Sequence, residues 1–266
     1  MYSLELVSHT PEIVTRHLPI LFIHGAWHAA WCWEEHFAPY FASRGFPCYS
    51  LSLRGHGHSR GKQKLRWFSI DDYLEDVRDI IDELPQKPVL IGHSMGGYLT
   101  QRYLETETAP AAVLLAPAPS NGAWLLTAFG LRHVPLGVLQ AALTLSTYPM
   151  IGTPARTRRA FFSSEMPEEQ LRGYFVKLRN ESFRAYLELL FVKRLKPGEV
   201  RERGTPTLIV GGERDLLFPP RTLEKLSESL GADLRIMPQT AHDIMLEARW
   251  QEAADTIIDW LSAKGL

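Results

Sequence analysis

Residues 89–99 read VLIGHSMGGYL. An apolar run ends in a glycine, a serine stands two places later, and more glycine follows before the chain turns apolar again. Gly92-His93-Ser94-Met95-Gly96 matches G-x-S-x-G, the spacing of a sharp strand-to-helix turn that lifts a serine hydroxyl clear of a sheet. The glycines have a steric purpose, because so tight a turn brings backbones too close for side chains. The chemistry on offer is nucleophilic attack by Ser94.

A serine hydroxyl is a weak nucleophile at neutral pH and needs a base. Where a serine sits on such an elbow, the order along the chain is nucleophile, acid, base. Of the ten histidines, only His133 and His242 follow Ser94. His133 lies in GLRHVPLG, away from any strand end. His242 lies in IMPQTAHDIMLE, between the last strand and the final helix, where an imidazole can lean over the serine. The imidazole in turn needs an acid to hold its tautomer. The loop after AAVLLA reads PAPSNG and has none. The loop after PTLIVGG reads ERDLLFPP and offers Asp215, with Glu213 as a rival nearer the strand end; Asp215 is favoured. Asp243, beside the proposed base, is read as a cap for the final helix. Donors for an oxyanion are expected from the Met95 N–H, at the start of the helix after the serine, and the Ala26 N–H, in the loop His24-Gly25-Ala26-Trp27.

The elements that must position these residues alternate. Short apolar runs recur at 20–24, 47–53, 88–92, 111–116, 206–212 and 232–238. Helical periods lie between most of them. Over Ser69–Leu84 the apolar stripe is Ile70, Tyr73, Leu74, Val77, Ile80, Ile81 and Leu84, and Ser94–Glu105 and Glu247–Ser262 also read as helices. Apolar strands alternating with helices predict an α/β fold: a mostly parallel central sheet covered on both faces. From Ser120 to Arg203 the rhythm breaks, and patterns such as EEQLRGYFVKLRNESFRAYLELLFV predict a mostly helical insertion. The expected organisation is therefore 1–119 as the first part of the core, 120–203 as an inserted helical cap, and 204–266 as the second part.

Composition narrows the function classes. The 266 residues are 45% apolar, enough for a sizeable core. A net charge of −1 supplies no bulk field for nucleic acid or an anionic membrane. The basic run at Arg60–Arg66 reads as a solvated loop. Cys32 and Cys48 show no metal-ligand spacing, and Cys48 lies in a strand-like stretch, so a buried free thiol is expected. The first ten residues lack the form of a secretory signal, and no apolar run approaches bilayer length. A soluble, cytoplasmic protein without stable membrane insertion is expected.

Taken together, the HGAW loop, the LRGHGHS segment at 53–59, the GHSMGG elbow, the GGERD loop and the AHDIMLE loop resemble, in order and spacing, the α/β-hydrolase fold superfamily. The resemblance covers nearly the whole chain. It implies Ser94 as nucleophile, Asp215 as acid, His242 as base, and Ala26 and Met95 as oxyanion donors, with 120–203 as the family's variable cap. One departure is visible. The segment before the RGHG turn often carries an aspartate in this family, and here Ser52 stands there, which puts a structural hydrogen bond in doubt.

The fold hosts many reactions. A serine nucleophile argues against dehalogenase and epoxide hydrolase chemistry, which need a carboxylate. Plant hydroxynitrile lyases and methylesterases have similar HGAW-type loops, but the lyases place a lysine where this chain has Asp243. Trp27, Trp124 and Phe129 are candidates for an apolar substrate wall, whereas Trp33 is expected to turn into the core. The expected activity is cofactor-independent hydrolysis of carboxylic esters with an apolar or aromatic moiety, and no metal is called for by His24 and His28 or by His56 and His58. Carbon–carbon bond hydrolysis, acyl transfer with the same triad, and a ligand-binding receptor on a hydrolase scaffold are the alternatives. Oligomeric state has no signal in the sequence.

Overall fold

The structure is a computed structural model describing residues 3–16, 18–119, 124–192 and 195–266. Its centre is a seven-stranded sheet: β1 (Glu5–His9), β2 (Ile20–Ile23), β3 (Cys48–Ser52), β4 (Val89–His93), β5 (Ala112–Leu115), β6 (Thr207–Gly212) and β7 (Asp233–Met237). The spatial order is β1-β3-β2-β4-β5-β6-β7, with β1 antiparallel to β3 and the other pairs parallel. The middle strands β2, β4, β5 and β6 are buried along their whole length, which is why they read as unbroken apolar runs.

The helices are α1 (Trp31–Glu34), α2 (Phe37–Ser43), α3 (Ile70–Glu83), α4 (Met95–Leu104), α5 (Trp124–His133), α6 (Pro135–Thr144), α7 (Pro154–Phe161), α8 (Glu168–Phe175), α9 (Phe183–Leu187), α10 (Pro197–Arg203), α11 (Pro220–Leu230) and α12 (Trp250–Ala263). Helices α3, α4, α10 and α11 pack in series as one layer, and α1, α2 and α12 form the other. Helix α3 begins where its sequence says it should. Ser69 accepts from the Asp72 N–H at 3.1 Å and Asp72 accepts from the Ser69 N–H at 2.7 Å, a capping box that satisfies two orphan donors. Trp33 is fully buried and stacks on Phe22 with ring centroids 4.9 Å apart. Both cysteines are free and buried.

Strand β1 is a feature that periodicity does not announce. ELVSH is short and half-polar, and it forms because an edge partner is available on β3. It also resolves the doubt over Ser52. The Ser52 hydroxyl donates to Glu5 Oε2 at 2.6 Å and accepts from the Ala30 N–H at 2.9 Å, while the His58 N–H donates to the same Glu5 oxygen at 2.9 Å. The carboxylate missing from position 52 is supplied by the neighbouring strand.

Between β5 and β6 the described residues are helical or irregular, with α5 to α10 in succession. Helix α10 packs against α4 and α11, within the sheet's own flanking layer. The stretch 168–192, read as one helical pattern, is two helices separated at 176–182. Ser182 restarts the second by accepting from the Ala185 N–H at 3.1 Å. Helix α12 begins at Trp250, three residues later than its periodicity suggests. The preceding turns are held by Asp243, whose carbonyl accepts from the Leu246 and Glu247 N–H groups.

Parallel register brings the C-terminal ends of β2, β4, β5 and β6 level, with Ile23 opposite Gly92, His93 opposite Leu115, and Leu115 opposite Val210. The loops that leave these ends converge above one edge of the sheet. That is where open parallel sheets place their ligand sites.

Candidate active site

Ser94 links β4 to α4 with φ 51° and ψ −111°, a conformation that L-residues with a side chain rarely adopt. The strain is held by backbone bonds on both sides. The Ser94 N–H donates to the Leu115 carbonyl at 2.9 Å, and the Ser94 carbonyl accepts from Tyr98 and Ala118. Gly96 permits the approach of α4 to β2. A side chain there would meet the His24 carbonyl at 2.7 Å and the Ile23 carbonyl closer still. The N-terminus of α4, with its unpaired N–H groups, is thereby set beside the loop that follows β2.

Two of the remaining predicted residues meet directly. His242 Nδ1 lies 2.8 Å from Asp215 Oδ2, with both side chains buried. The other Asp215 oxygen accepts from the Leu217 and Phe218 N–H groups at 2.8 and 3.0 Å, so the carboxylate cannot swing away. An Nδ1–H donated to Asp215 leaves a lone pair on Nε2. Burial alone would lower the His242 pKa; the charge and hydrogen bond of Asp215, with Asp243 behind, outweigh it and raise the group above 6.5. The His242 ring centroid lies 4.8 Å from that of His93, the residue before Ser94. Glu213 is spent elsewhere, accepting from the Gln239 N–H at 2.8 Å. His133 lies on α5 and accepts from Arg159 at 3.0 Å.

The HGAW loop is built by two histidines. The Leu53 N–H donates to His24 Nε2 at 3.1 Å, so Nδ1 carries the proton and donates to the Gly25 carbonyl at 2.8 Å. Burial, with His56 nearby, keeps His24 well below its ordinary pKa and hence neutral. The Gly25 carbonyl and the Ala26 N–H belong to one planar trans peptide. Turning that carbonyl towards His24 points the Ala26 N–H the opposite way. Gly25 itself lies against the elbow: a Cβ there would be 2.7 Å from His93 Nδ1 and 3.0 Å from Ser94 Cβ.

Asp243 does not cap the final helix. Its side chain turns into the core and meets His28 Nε2 at 3.0 Å, while His28 Nδ1 meets the Ala26 carbonyl at 2.8 Å. Both ring nitrogens face acceptors, and these two contacts tie the loop carrying His242 to the loop carrying Ala26. His93 adds a second tie, with Nε2 donating to the His242 carbonyl at 3.1 Å. Among the described residues, His93, His242 and Asp243 form the one group with ligand atoms close enough for a metal ion, all within 4.8 Å. Each has a nitrogen or oxygen already engaged in the bonds above.

Trp27 follows at φ 66°, and the region after β5 clamps it in place. Its indole N–H donates to Thr147 Oγ1 at 2.9 Å, its carbonyl accepts from the Arg179 N–H at 3.0 Å, and its own N–H reaches Glu181 Oε2 at 3.4 Å. Glu181 is fully buried. It also accepts from Tyr73 Oη at 2.7 Å and the Ser182 N–H at 2.5 Å, and pairs with buried His56 at 3.1 Å. Glu247 makes a similar bridge, accepting from the Ser163 N–H and hydroxyl and from the Ala241 N–H. The sequence reading passes over Glu181 and Glu247, because an acid inside a charged helical pattern looks solvated.

Trp27 and Phe129 share one cavity with Leu126, Val134, Met150, Ile151, Ala160, Phe161, Tyr186 and Leu217. Phe161 also faces the His242 ring, with centroids 6.1 Å apart, so the apolar space adjoins the base. Its volume is about 20 Å³, room for a single water. Trp124 opens α5, and its side chain lies outside the described residues. A larger groove of about 650 Å³, formed by residues 10–13, 15 and 42–45, is lined by none of the predicted site residues.

The profile of the alpha/beta hydrolase family matches residues 20–256. The chain belongs to the alpha/beta hydrolase family. Among curated proteins it is similar to pFDCC methylesterase MES16 of Arabidopsis thaliana, 35% identical over 79 residues, and to methyl jasmonate esterase 1 of Vitis vinifera, 34% identical over 79 residues. These matches span 29% of this chain and 29% and 30% of the two relatives. Among solved alpha/beta hydrolase structures, the chain resembles a monoacylglycerol lipase from Paleococcus ferrophilus (TM-score 0.73, 21% identity, 98% of this chain and 99% of that one). It also resembles an esterase from Exiguobacterium antarcticum (TM-score 0.74, 16% identity, 98% and 96%). At such identities the likeness is one of fold.

Proposed function

We propose that this chain is a cofactor-independent serine hydrolase of carboxylic esters that works through an acyl-enzyme on Ser94. The observation that carries the reading is the buried 2.8 Å bond between His242 and Asp215, set on the loops above the strained Ser94 elbow. In this reading His242 Nε2 takes the Ser94 proton as Oγ attacks the ester carbonyl. The Ala26 and Met95 N–H groups receive the developing oxyanion. The His242 imidazolium then protonates the leaving alkoxide, and the neutral ring afterwards activates water against the acyl-enzyme. Asp215 fixes the tautomer and balances the transient positive charge.

The small apolar cavity beside Phe161 supports a compact apolar group on one side of the ester, with Trp27 and Phe129 among its walls. The methylesterase relatives support methyl esters among the substrates. Two free, buried cysteines support a reducing compartment such as the cytoplasm.

The test is turnover with covalent labelling. Purified protein is expected to hydrolyse p-nitrophenyl acetate and butyrate faster than long-chain esters. A fluorophosphonate is expected to label one serine, located at Ser94 by peptide mass spectrometry. No turnover together with no label at that position would end the proposal.

The pH profile follows from His242. Only the neutral ring accepts a proton, so kcat/KM rises with pH as the imidazolium is lost. Because its neighbours raise the group above 6.5, the acid limb is expected to have its midpoint above that value. A midpoint well below 6.5 would show that another group controls the limb.

A further inference from the structure

Helix α6 is mostly apolar, with Gln140 and Thr144 its polar side chains, and only one side of it is packed. Gly137 and Ala141 face inwards, with Gly137 against the Pro149 backbone. Leu136, Leu139 and Leu143, spaced as one helical stripe, are 67%, 55% and 76% exposed. Leu131, near the end of α5, is 60% exposed. A helix apolar on both sides belongs between two partners, and here one partner is solvent.

The charges around this hairpin are one-sided. From Thr108 to Ser164 the chain has no aspartate or glutamate, although 30 acids in 266 residues would put about six in that length. The same stretch has four arginines, Arg132, Arg156, Arg158 and Arg159. Arg158 is paired with Glu168, and Arg156 donates to the Pro149 carbonyl. Arg159 reaches His133 beside Arg132, which gathers these exposed cationic groups at the α5–α6 corner. The near-zero charge of the whole chain hides this local excess.

We propose that the α5–α6 hairpin is a docking surface for anionic lipid, with the leucine stripe entering the headgroup boundary and Arg132 and Arg159 facing lipid phosphates. Apolar side chains and basic groups on one short surface are the two attractions that hold a peripheral protein on such a membrane. A second copy of the chain is the poorer occupant: a two-fold contact places the same patch on both sides, setting Arg132 and Arg159 against their own copies. Among the described residues no helix is long and apolar enough to cross a membrane, and surface contact needs none. The inner side of the same hairpin supplies Leu126, Phe129 and Val134 to the apolar cavity. If the ester reading holds, an apolar substrate dissolved in lipid has one helical layer to cross.

The experiment is co-flotation of the full chain with vesicles of phosphatidylcholine containing about one-third phosphatidylglycerol, and with pure phosphatidylcholine, at low and high salt. Wild type is expected to float with the anionic vesicles at low salt and to be released by high salt. Leu139→Glu with Leu143→Glu, and separately Arg132→Gln with Arg159→Gln, are each expected to lower binding at least tenfold. Melting temperature and hydrolysis of a soluble p-nitrophenyl ester should stay as in wild type. Failure of wild type to float, or undiminished flotation of the leucine variant, overturns the proposal. So does a wild-type dimer in light scattering that the leucine variant makes monomeric, because the face then belongs to a second copy. None of these outcomes depends on whether Ser94 is the nucleophile.

Discussion

Asp215→Asn is expected to lower kcat about 10⁴-fold, the scale of the same exchange in other serine triads, while leaving KM and melting temperature near wild type. The geometry explains both parts. Asparagine keeps the oxygen that accepts from the Leu217 and Phe218 N–H groups at 2.8 and 3.0 Å, so the loop has no reason to move. The other atom becomes an NH₂ facing His242 Nδ1, where the carboxylate oxygen accepted at 2.8 Å. Two donors cannot share that contact. The imidazole must move its proton to Nε2 and can no longer take one from Ser94. The acid limb should also shift to lower pH, because the charge that raises His242 is gone. A variant retaining more than a tenth of wild-type kcat would remove Asp215 from the proposed triad.

Glu181→Ala is expected to destabilise the fold by about 3–5 kcal/mol, the cost of breaking a buried ion pair from one side. At about 2–4 °C per kcal/mol for a chain of this size, melting should fall by roughly 10 °C. Burial alone would raise the Glu181 pKa, but the charge and hydrogen bonds of its partners, His56 first, outweigh it and lower the group. Burial likewise opposes the charge on His56, and Glu181 more than offsets it, raising His56. Alanine leaves that imidazole, the Tyr73 hydroxyl and two backbone N–H groups without their acceptor. The pair's stabilisation follows from the signs of the two shifts. Glu181 contributes fully above 4.5 and loses its part as pH falls through its lowered value; His56 contributes fully below 6.5 and loses its part as pH rises through its raised value. The difference between wild type and variant in urea should therefore be largest between those limits. Replacing His56 as well, by glutamine, should recover part of the loss, since no uncompensated charge then stays buried. Melting within about 2 °C of wild type would mean that the pair contributes no more than an ordinary surface contact.

The sheet was legible because buried parallel strands carry unbroken apolar runs, and the serine because its glycines answer to a steric need that any reader can test. Chain order then left few histidines and acids to consider, and the structure brings Asp215, rather than Glu213, to His242. Pairing across distance left no such trace. His28 and Asp243 are 215 residues apart, and His56 and Glu181 are 125 apart, so neither contact has a local pattern. The error over Asp243 has a physical root. Nearness to a helix suggests capping, but a tight turn after His242 sends its side chain inwards, where His28 waits. Glu181 was obscured differently: its neighbours Arg179, Asn180 and Ser182 give it the look of a surface helix, and the break in that helix is what buries it.

The exchange between Glu5 and Ser52 has an evolutionary corollary. A relative with an aspartate at the second of these sites would have no need of an acid at the first. The two positions should therefore change together down a lineage, and grafting only one of them into another background leaves either a pair of negative groups face to face or an amide and a hydroxyl with nothing to bind.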